Sequence, residues 1–271
     1  MTCELLAELN AIETGGIVTP GKKRNRLDEC LVTQGLATDI QKARSLIMAG
    51  QAVVADQMVD KPGFLVPNGA AVRLKGAVRA FASRGGDKLA GAVLGLGLTG
   101  VLKDAVVLDI GAATGGFTDV CLSHGAARVY AVDRGTNLLD YRLIRDPRVV
   151  VMDGTDAREF RPNQFKDVGI VVADISFAAL AELLPAIVAA VAAPAAKFLV
   201  LVKPQFELPV TDVPAGGVVV GDADRQRAVA EVVAAFTALG LSVEATRDSS
   251  VTGRKGNREI FCLASRPKQA P

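Results

Sequence analysis

The apolar positions of the chain change their spacing along its length. Between 26 and 50, RLDECLVTQGL and TDIQKARSLIMAG carry apolar residues at helical intervals, predicting two short helices that end near Gly35 and Gly50, with Thr38 as the N-cap of the second. Between 51 and 74 the pattern shortens, and QAVVADQMVDKPGFLV and AAVRL predict short strands around turns at Asp56 and Lys61-Pro62-Gly63. SRGGDKLAGAVLGL predicts a helix with Lys88 in its first turns. From 106 onward the apolar runs become nearly continuous and each ends in a charged residue. They are Val106 to Leu108 before Asp109, then ARVYAVD ending at Asp133, RVVVMD at Asp153, VGIVVAD at Asp174 and KFLVLVK at Lys203. Runs of this kind suit parallel strands buried on both faces. FTDVCLSHG predicts the helix after the first strand, and GNREIFCLA at 256 to 264 predicts a late strand carrying Glu259.

A strand, a glycine-rich turn and a helix open a doubly wound α/β sheet, in which ligands bind beyond the carboxyl ends of the strands. The turn here is VLDIGAATGGF at 107 to 117. A dinucleotide site requires GxGxxG, whose middle glycine lets the backbone close on a pyrophosphate. Ala113 holds that position, which disfavours a dinucleotide oxidoreductase and favours a cofactor without phosphates, such as S-adenosylmethionine. Its expected ligands are Asp109, Gly111, Ala112, Thr114, Gly115, Gly116 and Phe117 along the turn, with Asp153 and Asp174 on neighbouring strand ends. Asp133, 24 positions beyond Asp109, is the expected ribose ligand. The plain alternative is that the glycines make only a tight turn and Asp133 caps a loop.

Length and composition restrict the setting. At 271 residues, half of them apolar, the chain is expected to hold one full domain and a small one. The longest apolar stretch, 178 to 202, is broken by Glu182, Pro185, Pro194 and Lys197, which excludes a transmembrane helix. The first 21 residues hold Glu4, Glu8 and Glu13 and no basic residue, which does not fit a signal peptide, so residence in the cytoplasm is expected. Cys3, Cys30, Cys121 and Cys262 are scattered and His124 is the only histidine, so neither a disulfide framework nor a metal site is expected. Charge is uneven: residues 22 to 88 hold twelve Lys and Arg against six Asp and Glu. A basic front of two helices on a small sheet, with Lys22, Lys23, Arg24, Arg26, Lys42 and Arg44 nearby, suits phosphate contacts, although most charge runs are solvated faces.

Lys88, Asp174, Lys203 and Glu259 should meet at the rim of the sheet. Pro204 stops the strand at Lys203 and holds it extended. Such a cluster is either a structural ion-pair group or the machinery for methylating a weakly acidic hydroxyl. In the second case Lys203 accepts the hydroxyl proton or, remaining charged, stabilises the developing alkoxide. Asp174 orients Lys203, while Lys88 and Glu259 fix the hydroxyl; neither a metal nor a covalent intermediate is required.

Two resemblances sharpen this reading. The order RLDxxLVxxGLA, a K-A-R helix and LIxAGxVVVxxxxVxKPGxxV, over roughly 25 to 75, resembles the S-four type RNA-binding domain. It implies recognition of structured RNA by Arg26, Lys42 and Arg44, with Arg84 at the entry to the second domain. From there, SRGGDKL, VLDIGAATGGFTD, GAARVYAVDRGTNLLDYRLIRDPRV, VADISF, LVLVKPQFE and GNRE resemble, in order and spacing, the TlyA family of S-adenosylmethionine-dependent rRNA 2′-O-methyltransferases. Its members are sometimes labelled haemolysins, and their catalytic domain is FtsJ-like. The resemblance implies Lys88, Asp174, Lys203 and Glu259 as a Lys-Asp-Lys-Glu catalytic tetrad and a cytidine ribose in ribosomal RNA as the substrate. It also implies a Rossmann-like methyltransferase sheet over 79 to 271, a small α+β RNA-binding domain over 25 to 78 and an N-terminal extension over 1 to 24. The chain departs from the family pattern at AGGVVVGDADRQ, 215 to 226, where a basic, histidine-containing stretch is usual and Arg225 and Arg227 are the candidate replacements. It also has Ala113 where serine is usual. The competing readings are a ribosomal RNA-binding protein without catalysis and a membrane-active haemolysin.

Overall fold

The computed structural model describes residues 25 to 67, 70 to 75 and 80 to 267. The expectations for 1 to 24, including Lys22, Lys23 and Arg24, lie outside those residues, as does the stretch 76 to 79. In the front part α1 (Leu27–Thr33) and α2 (Ile40–Met48) cover an antiparallel sheet of β1 (Ala52–Val54), β2 (Gln57–Met58) and β3 (Val72–Leu74), in the order β2-β1-β3. Leu27, Leu31, Ala43, Ile47, Ala52 and Val54 form its own small core. The cap of α2 is Asp39, one residue after the expected Thr38. Its carboxylate accepts from the Lys42 N–H at 2.8 Å, while Thr38 donates its hydroxyl to Asp39. A carboxylate offers more acceptor capacity to the free N–H groups of a helix start, and its charge suits the positive end of the helix.

The rest of the chain begins with α3 (Arg84–Gly95) and α4 (Thr99–Leu102), then β4 (Val106–Ile110), α5 (Gly116–Ser123), β5 (Arg128–Val132), α6 (Tyr141–Ile144) and β6 (Val149–Met152). It continues with β7 (Ile170–Ala173), α7 (Leu180–Ala190), β8 (Lys197–Val202), α8 (Pro204–Glu207), α9 (Asp222–Ala238), β9 (Ser242–Asp248) and β10 (Ile260–Ser265). These strands make one seven-stranded sheet, β6-β5-β4-β7-β8-β10-β9. The pairings from β6 to β8 are parallel, and β10 is antiparallel to both neighbours. One face is buried under α7 and α9, the other under α3 and α5. That double cover is what makes the central strands apolar at nearly every position.

Strand order reverses between β4 and β7, so the turn after β4 and the residue after β7 sit side by side at the switch point where such sheets take ligands. Because β10 runs antiparallel, its start rather than its end lies at that same rim, with Ile260 opposite Val202 of β8. GNRE is therefore loop, not strand: β10 begins at Ile260, one residue after Glu259. No helix among the described residues is long and apolar enough to cross a membrane. The stretch 178 to 202 is divided between α7 and β8.

Candidate active site

The glycine-rich turn is shaped by what lies against it. Gly111 has φ +82°, and a Cβ there would meet the Asp174 carbonyl oxygen at 2.6 Å, so the turn passes the end of β7 with no room for a side chain. A Cβ on Gly116 would strike Ser83 and the Gly86 N–H. The bare Cα of Gly116 against Gly85 and Gly86 thus lets the first turns of α3 and α5 abut, and this contact brings Lys88, one turn into α3, to the rim. Ala113 adopts φ +47°, left-handed backbone that a glycine would accept more readily.

Two ion pairs occupy the rim. Lys203 Nζ lies 2.5 Å from Asp174 and donates to Ser176 Oγ at 2.5 Å. Lys88 Nζ lies 2.6 Å from Glu259. Lys88, Lys203 and Glu259 are all buried, yet with Asp174 they line a single cavity of about 430 Å³. Glu259 is held from behind: its carbonyl accepts from the Ser249 N–H at 2.9 Å, and Asn257 spans the adjoining loop by accepting from Val219 N–H and donating to Gly217 O, both at 2.8 Å. Lys203 donates a hydrogen bond to Ser176 and is ion-paired with Asp174, whose Oδ1 accepts no hydrogen bond, so the amine keeps capacity for a ligand in the cavity.

The expected cofactor residues divide by depth. Asp133 and Asp153 stand at the ends of β5 and β6. Asp133 accepts from the Ala113 and Gly135 N–H groups at 2.8 and 2.7 Å, and Asp153 accepts from Asn137 N–H at 2.8 Å, which leaves further lone pairs on each carboxylate. Thr114 is exposed and Gly111 half-buried, whereas Ala112, Gly115 and Gly116 are buried. Two of the expected ligands turn their side chains inward. The ring of Phe117 turns into the core and stacks on Phe261, with centroids 6.1 Å apart. Asp109 is fully buried beneath the turn, where its carboxylate accepts from the Thr118 hydroxyl at 2.6 Å. Burial foremost, with the nearby Asp174 and Asp133 charges adding to it, pushes Asp109 up to about 7 despite that hydrogen bond. The bare backbone at Gly111 and the carboxylates of Asp133, Asp153 and Asp174 fit a cofactor that carries a cation, an amino acid and a ribose. They do not fit a pyrophosphate, because the three carboxylates would repel its charge and Ala113 holds the place of the glycine that lets the backbone close on it.

The expected RNA contacts are partly committed elsewhere. Arg26 and Arg44 both pair with Asp28, at 2.8 and 3.0 Å, though each arginine side chain stays 44% exposed. Arg84 donates to the Thr252 carbonyl at 3.1 Å. Lys42 is exposed. Arg225 is buried, pairs with Asp222 and Asp248 at 2.8 and 2.5 Å and reaches the Arg258 carbonyl. Arg227 pairs with Asp212 and Asp224. Ser176, Glu207 and Asn257 lie inside the motifs VADISF, KPQFE and GNRE, but their parts depend on contacts between distant segments that the motifs alone do not show.

A doubly wound sheet with an antiparallel last strand, a cofactor turn lacking the middle glycine and paired lysines and acids at the rim define a methyltransferase. The chain belongs to the FtsJ-like methyltransferase family, whose model matches residues 81–266. It is 40% identical over 241 residues to the 16S/23S rRNA (cytidine-2'-O)-methyltransferase TlyA of Mycobacterium tuberculosis, covering 88% of this chain and 89% of that one. It is 32% identical over 238 residues to Hemolysin A of Brachyspira hyodysenteriae, covering 87% of this chain and 98% of that one. Among solved structures, a hemolysin-named protein from Streptococcus thermophilus aligns with TM-score 0.69 at 34% identity, over 91% of this chain and 90% of that one.

Proposed function

We propose that the protein methylates the 2′-hydroxyl of a cytidine ribose in ribosomal RNA, with S-adenosylmethionine as methyl donor. The observation that carries this is the meeting of the Lys203–Asp174 and Lys88–Glu259 pairs in one cavity beside the glycine-rich turn. When bound, S-adenosylmethionine supplies an electrophilic methyl group on a sulfonium. Gly111, Thr114, Asp133, Asp153 and Asp174 are the residues proposed to hold it. A ribose hydroxyl is a poor nucleophile until its proton is withdrawn in the transition state. Lys203, as the neutral amine, is proposed to take that proton, held at its place by Asp174 and Ser176. Lys88 and Glu259 fix the hydroxyl from the other side and keep the rim close to neutral. The TlyA relative supplies the polymer and the base. We further propose that residues 25 to 78 form an RNA-gripping domain of the S-four type, with Lys42 and the outward faces of Arg26, Arg44 and Arg84 on the backbone. An rRNA substrate places the protein in the cytoplasm.

The decisive experiment is single-turnover methyl transfer from labelled S-adenosylmethionine to ribosomal subunits. Lys203→Ala should abolish transfer while cofactor affinity changes little, and retained turnover would remove the mechanism. Mapping 2′-O-methyl groups on rRNA from cells with and without the protein then identifies the nucleotide. Binding without transfer by the unaltered protein would instead favour a non-catalytic RNA-binding role.

A further inference from the structure

The cavity beside the tetrad contains an acceptor that nothing in the fold uses. Gln205 follows Pro204 in the first turn of α8, and its side chain lines the same space of about 430 Å³ as Lys203, Asp174 and Glu259. Its Oε1 is buried and receives no hydrogen bond from any described residue. Buried polar atoms are almost always paired, and a bare one next to a ligand cavity marks a partner that arrives with the ligand. Asp174 Oδ1 and Glu259 Oε2 in the same cavity also accept no hydrogen bond, but each is ion-paired with a lysine, and the other polar neighbours are hydrogen-bonded. Ser176 receives Lys203, Asn257 spends its amide on Val219 and Gly217, and Glu207 accepts from Leu180 and Ala181. Phe206, next in sequence, gives the same wall an aromatic surface.

We propose that Gln205 reads the nucleobase of the nucleotide whose ribose lies at Lys203, its Oε1 accepting a hydrogen bond from an exocyclic amine. This rests on the RNA ribose methylation proposed above and adds the residue that selects the base. Cytosine offers its N4 amine as a donor; uracil carries an oxygen at the equivalent place and sets acceptor against acceptor. With Oε1 presented to the base edge, cytosine pairs with it and uracil leaves it unpaired. Space of this volume is enough for a single unstacked base, which is how single-stranded RNA presents its edges to proteins.

The test uses the full chain and two transcripts of the rRNA region around the mapped methylation site, one with cytidine and one with uridine at that position. The unaltered protein should methylate the cytidine transcript faster. Gln205→Leu, which keeps the bulk and removes the acceptor, should slow single-turnover methylation of cytidine by about tenfold to a hundredfold. It should also bring the cytidine-to-uridine rate ratio close to one, with S-adenosylmethionine affinity unchanged. Gln205→Glu, which keeps an acceptor, should preserve the preference for cytidine even if its absolute rate falls. A Gln205→Leu protein that is slower but equally selective would overturn the proposal, because a merely structural role lowers both rates together. Loss of cytidine preference in Gln205→Glu would overturn it too. If the unaltered protein transfers methyl to neither transcript nor to ribosomal subunits, it is the methylation reading that fails.

Discussion

Asp109 departs furthest from what its position in the chain suggested. A carboxylate at the end of the first strand looks like a cofactor ligand, but Thr118, nine residues on, draws it under the turn. The direction of a side chain beneath a loop depends on the helix that follows, and no motif displays it. Asp109 is raised to about 7 by burial, while in the unfolded chain it titrates near 4. The folded protein therefore holds a proton there that the unfolded chain has lost. The stability this contributes is complete below about pH 4, falls as pH rises toward 7 and is gone above it. Asp109→Asn stays neutral and still accepts from Thr118. In urea denaturation it should gain on the unaltered protein between pH 5 and pH 8, by up to a few kcal/mol at about 1.4 per pKa unit. An equal difference at both pH values would refute the buried-carboxylate account. Asp28 has the opposite sign: the Arg26 guanidinium, aided by Arg44, holds it well below the usual carboxylate range. Its contribution is present above about pH 4 and lost in acid, so Asp28→Asn should lower stability by about 1–2 kcal/mol at neutral pH and by less near pH 3.

Among elements, α8 does more than end a strand. Helix α7 starts after Ala179, which offers no side-chain cap, and Glu207 of α8 supplies one from outside by accepting from the Leu180 and Ala181 N–H groups at 2.8 and 3.3 Å. The last residue of KPQFE therefore anchors the short helix that carries Gln205 and follows Lys203. Glu207→Ala should destabilise the protein by about 1–2 kcal/mol, a fall in Tm of a few degrees for a chain of this size, with Glu207→Gln recovering part of it. No change in thermal unfolding for Glu207→Ala would show that α7 starts unaided. The elements readable in the sequence were those whose burial matches a simple period: the parallel strands, α3, α5 and the two front helices. Helix α7 was hidden because it is apolar nearly all round, within a run that passes on into β8. Strand β9, SVEATRD, was hidden for the converse reason: it lies at the sheet edge, where polar side chains are allowed.

For the whole molecule, the charge count along the chain located the basic front, but only the folded contacts tell which cations remain for a partner. Arg26 and Arg44 share Asp28, Arg225 is spent on two aspartates, and Arg84 holds Thr252. Lys42 on α2 and Arg254 in the loop before β10 are exposed. A cavity of about 360 Å³ lined by Asp56, Arg84, Lys88, Thr114 and Arg254 runs from the β1–β2 turn of the small unit to Lys88 at the rim of the sheet. An RNA strand lying along that course would have phosphates near Arg254, and Lys42 is the exposed cation on α2 of the small unit that would take a further one. Each phosphate contact removed should lower the slope of log affinity against log salt by about 0.7–0.9. Lys42→Ala and Arg254→Ala should therefore each weaken rRNA binding and flatten that slope by nearly one contact. The effects should add in the double variant, because the residues share no partner. Cofactor affinity should stay unchanged in all three. A double variant with the parental slope would mean that RNA takes another route to the tetrad, and Lys42 and Arg254 would then be no more than solvated surface charge.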